Sequence, residues 1–313
     1  MSDVNLPRYD ELPLLAGTDI RHAWDVFGRD DVLGSVNLLT DERAAAAAQL
    51  VRTGRRISLD LPLDVPDPPL FGRQAHDHVV FALNRNEMDD RLDGFHPQRS
   101  TQWDGLNHVR CREHGYWGGR QQDPTDGPNE LGVHNLVAHG IAGRGVLVDL
   151  AGSLEAAGDY HALDPHPITV EQLQAVIDEQ GVQLQPGDIV CLRTGWTEAY
   201  RRLDQSGRAA YAADPHHAGL RAYEDMARFL WETHPGALCV DNPAVEVVPG
   251  NPEDGSLHRR VLAAQGLTLG EMFDFDTLST ECRADGRWSF LFVASPLNLT
   301  HGLGSPGNAM AIL

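Results

Sequence analysis

Gln98-Arg99-Ser100-Thr101-Gln102-Trp103-Asp104-Gly105-Leu106-Asn107-His108 is the stretch on which the reading of this chain turns. In an extended strand, side chains two or four residues apart share a face. An extended run here predicts Gln98, Gln102, Asp104 and His108 on one side, a row of two amides, one carboxylate and one imidazole. Such a row ligates a metal and supplies a general base, or forms a satisfied hydrogen-bond network, and spacing alone does not choose. Trp103 falls on the other face and reads as a core residue or a wall of a substrate pocket.

Around this stretch, residues 84–122 are polar and lack helical periodicity, the character of a loop that carries function. Elsewhere strands and helices alternate. Thr40 predicts a helix cap before the alanine run 44–48, with a stop at Gly54. Thr169 and Gln172 form a capping box ahead of the stripe Val170, Leu173, Val176 and Ile177. Residues 221–231 and 256–264 also predict helices, and the polar stretch 205–215 reads as an excursion loop. Apolar runs at 56–63, 79–83, 146–150, 189–192, 238–240, 290–294 and 309–313 predict strands. No repeat or linker divides the chain. The expected fold class is α/β, with a mixed β-sheet or flattened barrel core and flanking helices in a single domain. Residues 41–313 form that catalytic domain, and residues 1–40 an N-terminal extension packed on it.

The 313 residues are 42% hydrophobic, enough for a large buried core. Asp plus Glu number 45 against 25 for Lys plus Arg, a formal net charge of −20. Such a surface repels phosphate backbones and anionic lipid, so neither nucleic acid nor membrane is an expected partner. Cys111, Cys191, Cys239 and Cys282 are widely spaced and form no CxxC pair; reduced thiols are expected, Cys191 and Cys239 in the core. Residues 1–13 lack the basic start and apolar run of a signal peptide, and no apolar stretch approaches spanning length, so the expected location is cytoplasmic. There is no nucleophile elbow, Walker loop or dinucleotide fingerprint.

The remaining histidines are weaker signals. His76-Asp77-His78 is a lone HxH with an exposed or rim role expected. His134 and His139 suit packing or a pocket rim, His216-His217 the surface, and His301, in the closing loop, a place facing substrate.

The 98–108 stretch resembles the signature His-x-Gly-Thr-His-x-Asp-x-Pro-x-His of the putative cyclase family, which includes kynurenine formamidase and isatin hydrolase. Thr101, Asp104 and His108 match; Gln98 and Gln102 stand where the pattern has metal-binding histidines, Ser100 replaces Gly, and Leu106 replaces Pro. The resemblance extends in order through 24–40, His139-Gly140-Ile141, Arg193-Thr194-Gly195-Trp196, Asp241-Asn242-Pro243-Ala244, His258, Glu271 and 296–306.

It implies a cyclase-like swivelling fold, a metal held by Gln102, Asp104, His258 and Glu271, and catalysis by His108 with Asp104. Gln98, Trp103, His139 and His301 become substrate-binding candidates. Two imidazoles have become amides, so an oxygen-rich site for one Mn²⁺, Zn²⁺ or Mg²⁺ is expected rather than a two-zinc centre. The implied reaction is hydrolysis of an amide, formamide, cyclic amide or lactone bond in a small, ring-bearing substrate. The alternatives are a metal-independent lyase or cyclase using His108, or a non-catalytic small-molecule binder. Family members suggest a homo-dimer or tetramer.

Overall fold

The computed structural model describes residues 6–158 and 160–313, so the first five residues of the expected N-terminal extension lie outside the described residues. Its strands in chain order are β1 (Arg56–Ser58), β2 (Asp77–Ala82), β3 (Met88–Asp93), β4 (Gln102–Asp104), β5 (Ile141–Val148), β6 (Pro167–Ile168) and β7 (Ile189–Leu192). The remainder are β8 (Gly219–Leu220), β9 (Ala237–Val240), β10 (Leu269–Glu271), β11 (Ser289–Ala294), β12 (Gly304–Pro306) and β13 (Ala309–Ile312).

Strict alternation in the central strands divides the interior in two. Val190, Leu192, Leu238, Val240 and Leu269 point to one core; Ile189, Cys191, Ala237 and Cys239 point to the other. A strand buried on both faces reads as a continuous apolar run, as IVCL and ALCV do here. β5, β7, β9 and β10 are parallel neighbours, extended by antiparallel partners into a curled nine-stranded half-barrel of order β1-β13-β11-β5-β7-β9-β10-β4-β12. Parallel neighbours require crossovers, and the helices Val170–Glu179 and Glu224–Thr233 lie in two of the three, burying Leu173, Val176, Ile177, Met226 and Leu230 in the first core. The capping box is present: Thr169 Oγ1 accepts from the Gln172 N–H, and the Gln172 side chain accepts from the Thr169 N–H.

The N-terminal segment packs on the same core. Tyr9, Leu12, Leu15 and Trp24 are buried there, Trp231 Nε1 donates to Pro7 O, and Trp24 Nε1 donates to Ala263 O. The aromatic residues Trp24, Trp103, Tyr116, Trp117, Trp196 and Phe273 are all core. The four cysteines are free and buried. Among the described residues no helix is long and apolar enough to cross a membrane.

Three local expectations are corrected and one is refined. The strand across 98–108 is only β4, because residues 105–108 turn back, the His108 N–H donating to Gly105 O at 2.8 Å. Residues 205–215 are mostly the helix Gln205–Ala213, capped by Asp204, whose carboxylate accepts from the Gly207 N–H at 2.7 Å. Its exposed faces are polar and Tyr211 is its one buried anchor, so apolar periodicity is faint. The strand expected at 79–83 is present as β2, and it pairs with β3 in an outlying hairpin whose residues are mostly exposed. His217 is fully buried, its Nδ1 2.9 Å from the Tyr211 hydroxyl, rather than at the surface.

Candidate active site

β4 and β10 run antiparallel with Glu271 opposite Gln102. Directly opposed residues project to one face of a sheet, as do residues two apart on a strand. Gln102, Asp104 and Glu271 therefore share the face of the first core, while Trp103 points to the second. His258 comes from the segment before the π-helical turn Arg259–Ala264, whose buried Val261 and Leu262 anchor it in the first core.

One ligand atom from each of Asp104, His258 and Glu271 lies within 4.8 Å of the others. His258 Nε2 is 3.1 Å from Glu271 Oε1 and 3.6 Å from Asp104 Oδ2. Gln102 Nε2 donates to Glu271 Oε2 at 2.7 Å and, more weakly, to Asp104 Oδ1 at 3.3 Å. On its far side, His258 Nδ1 is 3.0 Å from Glu246 Oε1. Glu246 is held in turn by the Leu257 N–H and the Ser256 hydroxyl.

Burial of so many charges polarises the group. Burial and the neighbouring Asp104 charge push Glu271 up to about 7, against the pull of His258 and Arg73. Burial also acts to raise Asp104, but the charges of His108 and His258 outweigh it and hold Asp104 below the usual carboxylate range. Burial acts to lower His258, yet the carboxylates of Asp104, Glu246 and Glu271 around its ring raise it well above an ordinary imidazole. The cluster is thus a buried concentration of carboxylate charge, which favours the protonated forms of Glu271 and His258.

Asp104 Oδ2 and Gln102 Oε1 are buried without a hydrogen-bond partner. Orphaned buried acceptors are uncommon and call for a cation or a donor. Two carboxylates, one imidazole and an amide oxygen form a hard, oxygen-rich set that fits a single divalent ion better than a thiolate- or imidazole-rich zinc cage. The residues present fit such an ion.

The other candidates distribute as follows. His108 Nε2 lies 3.8 Å from Asp104 Oδ1, and its side chain is 27% exposed, between the cluster and solvent. Gln98 is not on β4, but it reaches the same region: Gly304 opposes Asp104 in the β4–β12 ladder, and a Cβ there would meet Gln98 Nε2 at 2.7 Å. Trp103 is a correction. It is fully buried edge-on to Phe273 (5.2 Å) and Phe292 (6.1 Å), with Nε1 donating to Gly307 O, so it is core and not a substrate contact. His139 is also corrected. It precedes β5, exposed, at the end of the parallel strands opposite to Glu271, and its Nδ1 bonds only Gly140 O. His301 is exposed, its ring edge-on to His134 at 5.3 Å and its Nδ1 2.8 Å from Asn129 O.

Three neighbours went unforeseen. Glu246 is one; a lone carboxylate inside the run Val245-Glu246-Val247-Val248 was the signal for it. Asn107 is buried with both amide atoms unpaired, next to His108. Arg73, from a loop before β2, acts by its charge on both Asp104 and Glu271.

The α/β half-barrel is a fold that known structures share. The crystal structure of a novel cyclase superposes with a TM-score of 0.80 at 30% identity, covering 93% of this chain and 99% of that one. Isatin hydrolase A from Labrenzia aggregata, bound to benzyl benzoate, gives 0.61 at 18% identity, covering 86% and 96%. An isatin hydrolase bound to the product analogue thioisatinate gives 0.59 at 14%, covering 88% and 99%. None of the curated proteins matches. The family model described as "Putative cyclase" matches residues 46–247. The chain belongs to that family.

Proposed function

We propose that this protein is a hydrolase of the C–N bond of small amides, formamides or cyclic amides, or of the C–O bond of a lactone, with a ring-bearing substrate. The observation that carries the reading is the convergence of Asp104, His258 and Glu271 within 4.8 Å, beside two orphaned buried oxygens. Hydrolases among the structural relatives support it at the level of the family. Asp104, His258, Glu271 and the oxygen of Gln102 would hold a divalent ion, Mn²⁺, Mg²⁺ or Zn²⁺. Such an ion supplies Lewis-acid polarisation of a carbonyl and acidifies water.

The chain's own groups do the rest. His108 Nε2, at the solvent side of the cluster, takes a proton from the attacking water and returns it to the leaving nitrogen. Asp104, 3.8 Å away, orients that imidazole and stabilises its protonated form. Gln98 and His301 line the approach, and Arg73 offers a cation to a substrate carbonyl or carboxylate. His108→Ala lowers kcat by about 10²–10⁴-fold with folding intact. Turnover unaffected by this change would remove the proposed acid–base role.

A second reading rests on Gln102. Its NH₂ group already bridges the two carboxylates that a cation would join, which suits a metal-independent lyase or a binding protein. Elimination or cyclisation of a carbonyl-activated substrate without consumption of water, surviving chelation but not His108→Ala, would favour the lyase. A small molecule that stabilises the protein without being turned over would favour the binder.

The outlying β2–β3 hairpin exposes Val80, Leu83, Met88 and Leu92, which supports a homo-dimer or tetramer. Sedimentation of Leu83→Asp/Met88→Asp should then give a smaller species.

A further inference from the structure

A cavity of about 220 Å³ lies against the segment that carries His258, and neither Asp104 nor Glu271 lines it. Its walls include Arg112, His114, Arg259, Arg260 and Ser256, with Thr18 and Asp19 from the N-terminal segment. The volume far exceeds what one water needs.

The charge there runs against the rest of the molecule. In a chain of net charge −20, carboxylates are plentiful, yet among the described residues neither Arg112 nor Arg259 has a carboxylate or hydrogen-bond partner for its guanidinium. Arg260 is buried, at 4% exposure. Its Nη2 donates to Asp19 Oδ2 at 2.7 Å and its Nε to Ala222 O at 3.3 Å, while Nη1 is buried with no partner. His114 Nε2 is likewise buried and unpaired, with only the exposed Glu113 carboxylate 3.6 Å away. Asp254 does not neutralise the group, because both its oxygens are taken by Arg221, at 3.0 and 3.1 Å. Asp19 is the single acidic residue in the wall. A buried guanidinium N–H left unmade is costly, and planar guanidiniums pair best with oxyanions that accept two bonds at once.

We propose that this cavity binds a small phosphate-type oxyanion, free or as the head of a compact metabolite, at a site separate from the Asp104 cluster. Ser256 and Arg259 flank His258 in sequence, and the Ser256 hydroxyl donates to the Glu246 carboxylate beside it. An occupant therefore braces the segment that delivers His258.

The test is isothermal titration of the full chain with inorganic phosphate at neutral pH and physiological salt, with succinate as the comparison probe. Saturable binding with a Kd below about 1 mM is expected. Arg112→Gln/Arg259→Gln should weaken it at least about tenfold. Asp104→Asn should leave it unchanged. These arginines are exposed and half-buried, so the double variant keeps its fold, which circular dichroism verifies. No saturation by about 10 mM phosphate, wild-type affinity in the arginine variant, tighter binding of succinate, or loss of binding in Asp104→Asn would each overturn the proposal.

Discussion

Gln102 and Glu271 face each other across the β4–β10 ladder, and the Gln102 amide donates to the Glu271 carboxylate at 2.7 Å. That cross-strand pair makes Gln102 a member of the cluster by register, not by flexible reach. Gln102→His would put an imidazole nitrogen where a weak amide now stands. Zn²⁺ affinity, measured by competition with a chelating dye, should rise by about tenfold or more. Unchanged affinity would mean that residue 102 does not ligate.

Metal binding should release protons. Burial pushes Glu271 up to about 7 and His258 is held well above its ordinary value, so at neutral pH His258 is protonated and Glu271 partly so, and a cation must displace those protons. Affinity for Mn²⁺ should therefore rise with pH through about 7 and above. Titration calorimetry in buffers of different ionisation enthalpy reads the number of protons released; zero protons at neutral pH would contradict this assignment.

Glu246 fixes His258 from behind. Its 3.0 Å contact with Nδ1 keeps a proton on that nitrogen, so that loss of the Nε2 proton leaves the neutral tautomer whose Nε2 lone pair faces Asp104 and Glu271. Glu246→Ala should lower metal affinity about 10–100-fold. Glu246→Gln, which keeps an acceptor oxygen, should recover part of the loss. Nitrogen-15 chemical shifts of His258 report the tautomer directly, and an unchanged tautomer in the Ala variant would refute the positioning role.

Asp60 gives a test of stability away from the site. Its Oδ2 accepts from the Ala309 N–H at 2.9 Å while Oδ1 is buried and unpaired, and burial pushes its carboxyl up to about 6 despite that bond. A folded value above the unfolded one makes the contribution complete below about pH 4 and lost as pH rises through about 6. Asp60→Asn removes that loss. Relative to the parent, the variant should gain about 1–3 kcal/mol in urea unfolding between acid and mildly alkaline pH. A pH-independent difference would mean that Asp60 does not titrate in this window.

Much of the fold was legible because it is written in short-range physics. The strands at 189–192 and 237–240 are four-residue apolar runs bounded by turns, and the Thr169 box marks its helix start by two reciprocal bonds. The helix at Gln205–Ala213 escaped notice because one buried tyrosine makes no stripe. His217 escaped because a polar side chain closing on Tyr211 depends on residues brought beside it by tertiary packing. At the site, the period-two spacing of Gln102 and Asp104, with Trp103 opposite, follows from any extended backbone.

The sequence by itself thus determined which residues share a face and which runs must be buried, since both depend on periodicity along the chain. Family resemblance names Asp104, His258 and Glu271 together, and the tertiary structure brings them within 4.8 Å; the tertiary structure alone decided that Glu246 stands behind His258 and that Trp103 and His139 do not touch the cluster. Residues separated by more than a hundred positions become neighbours through sheet order and register, and no local pattern in the chain encodes those distances.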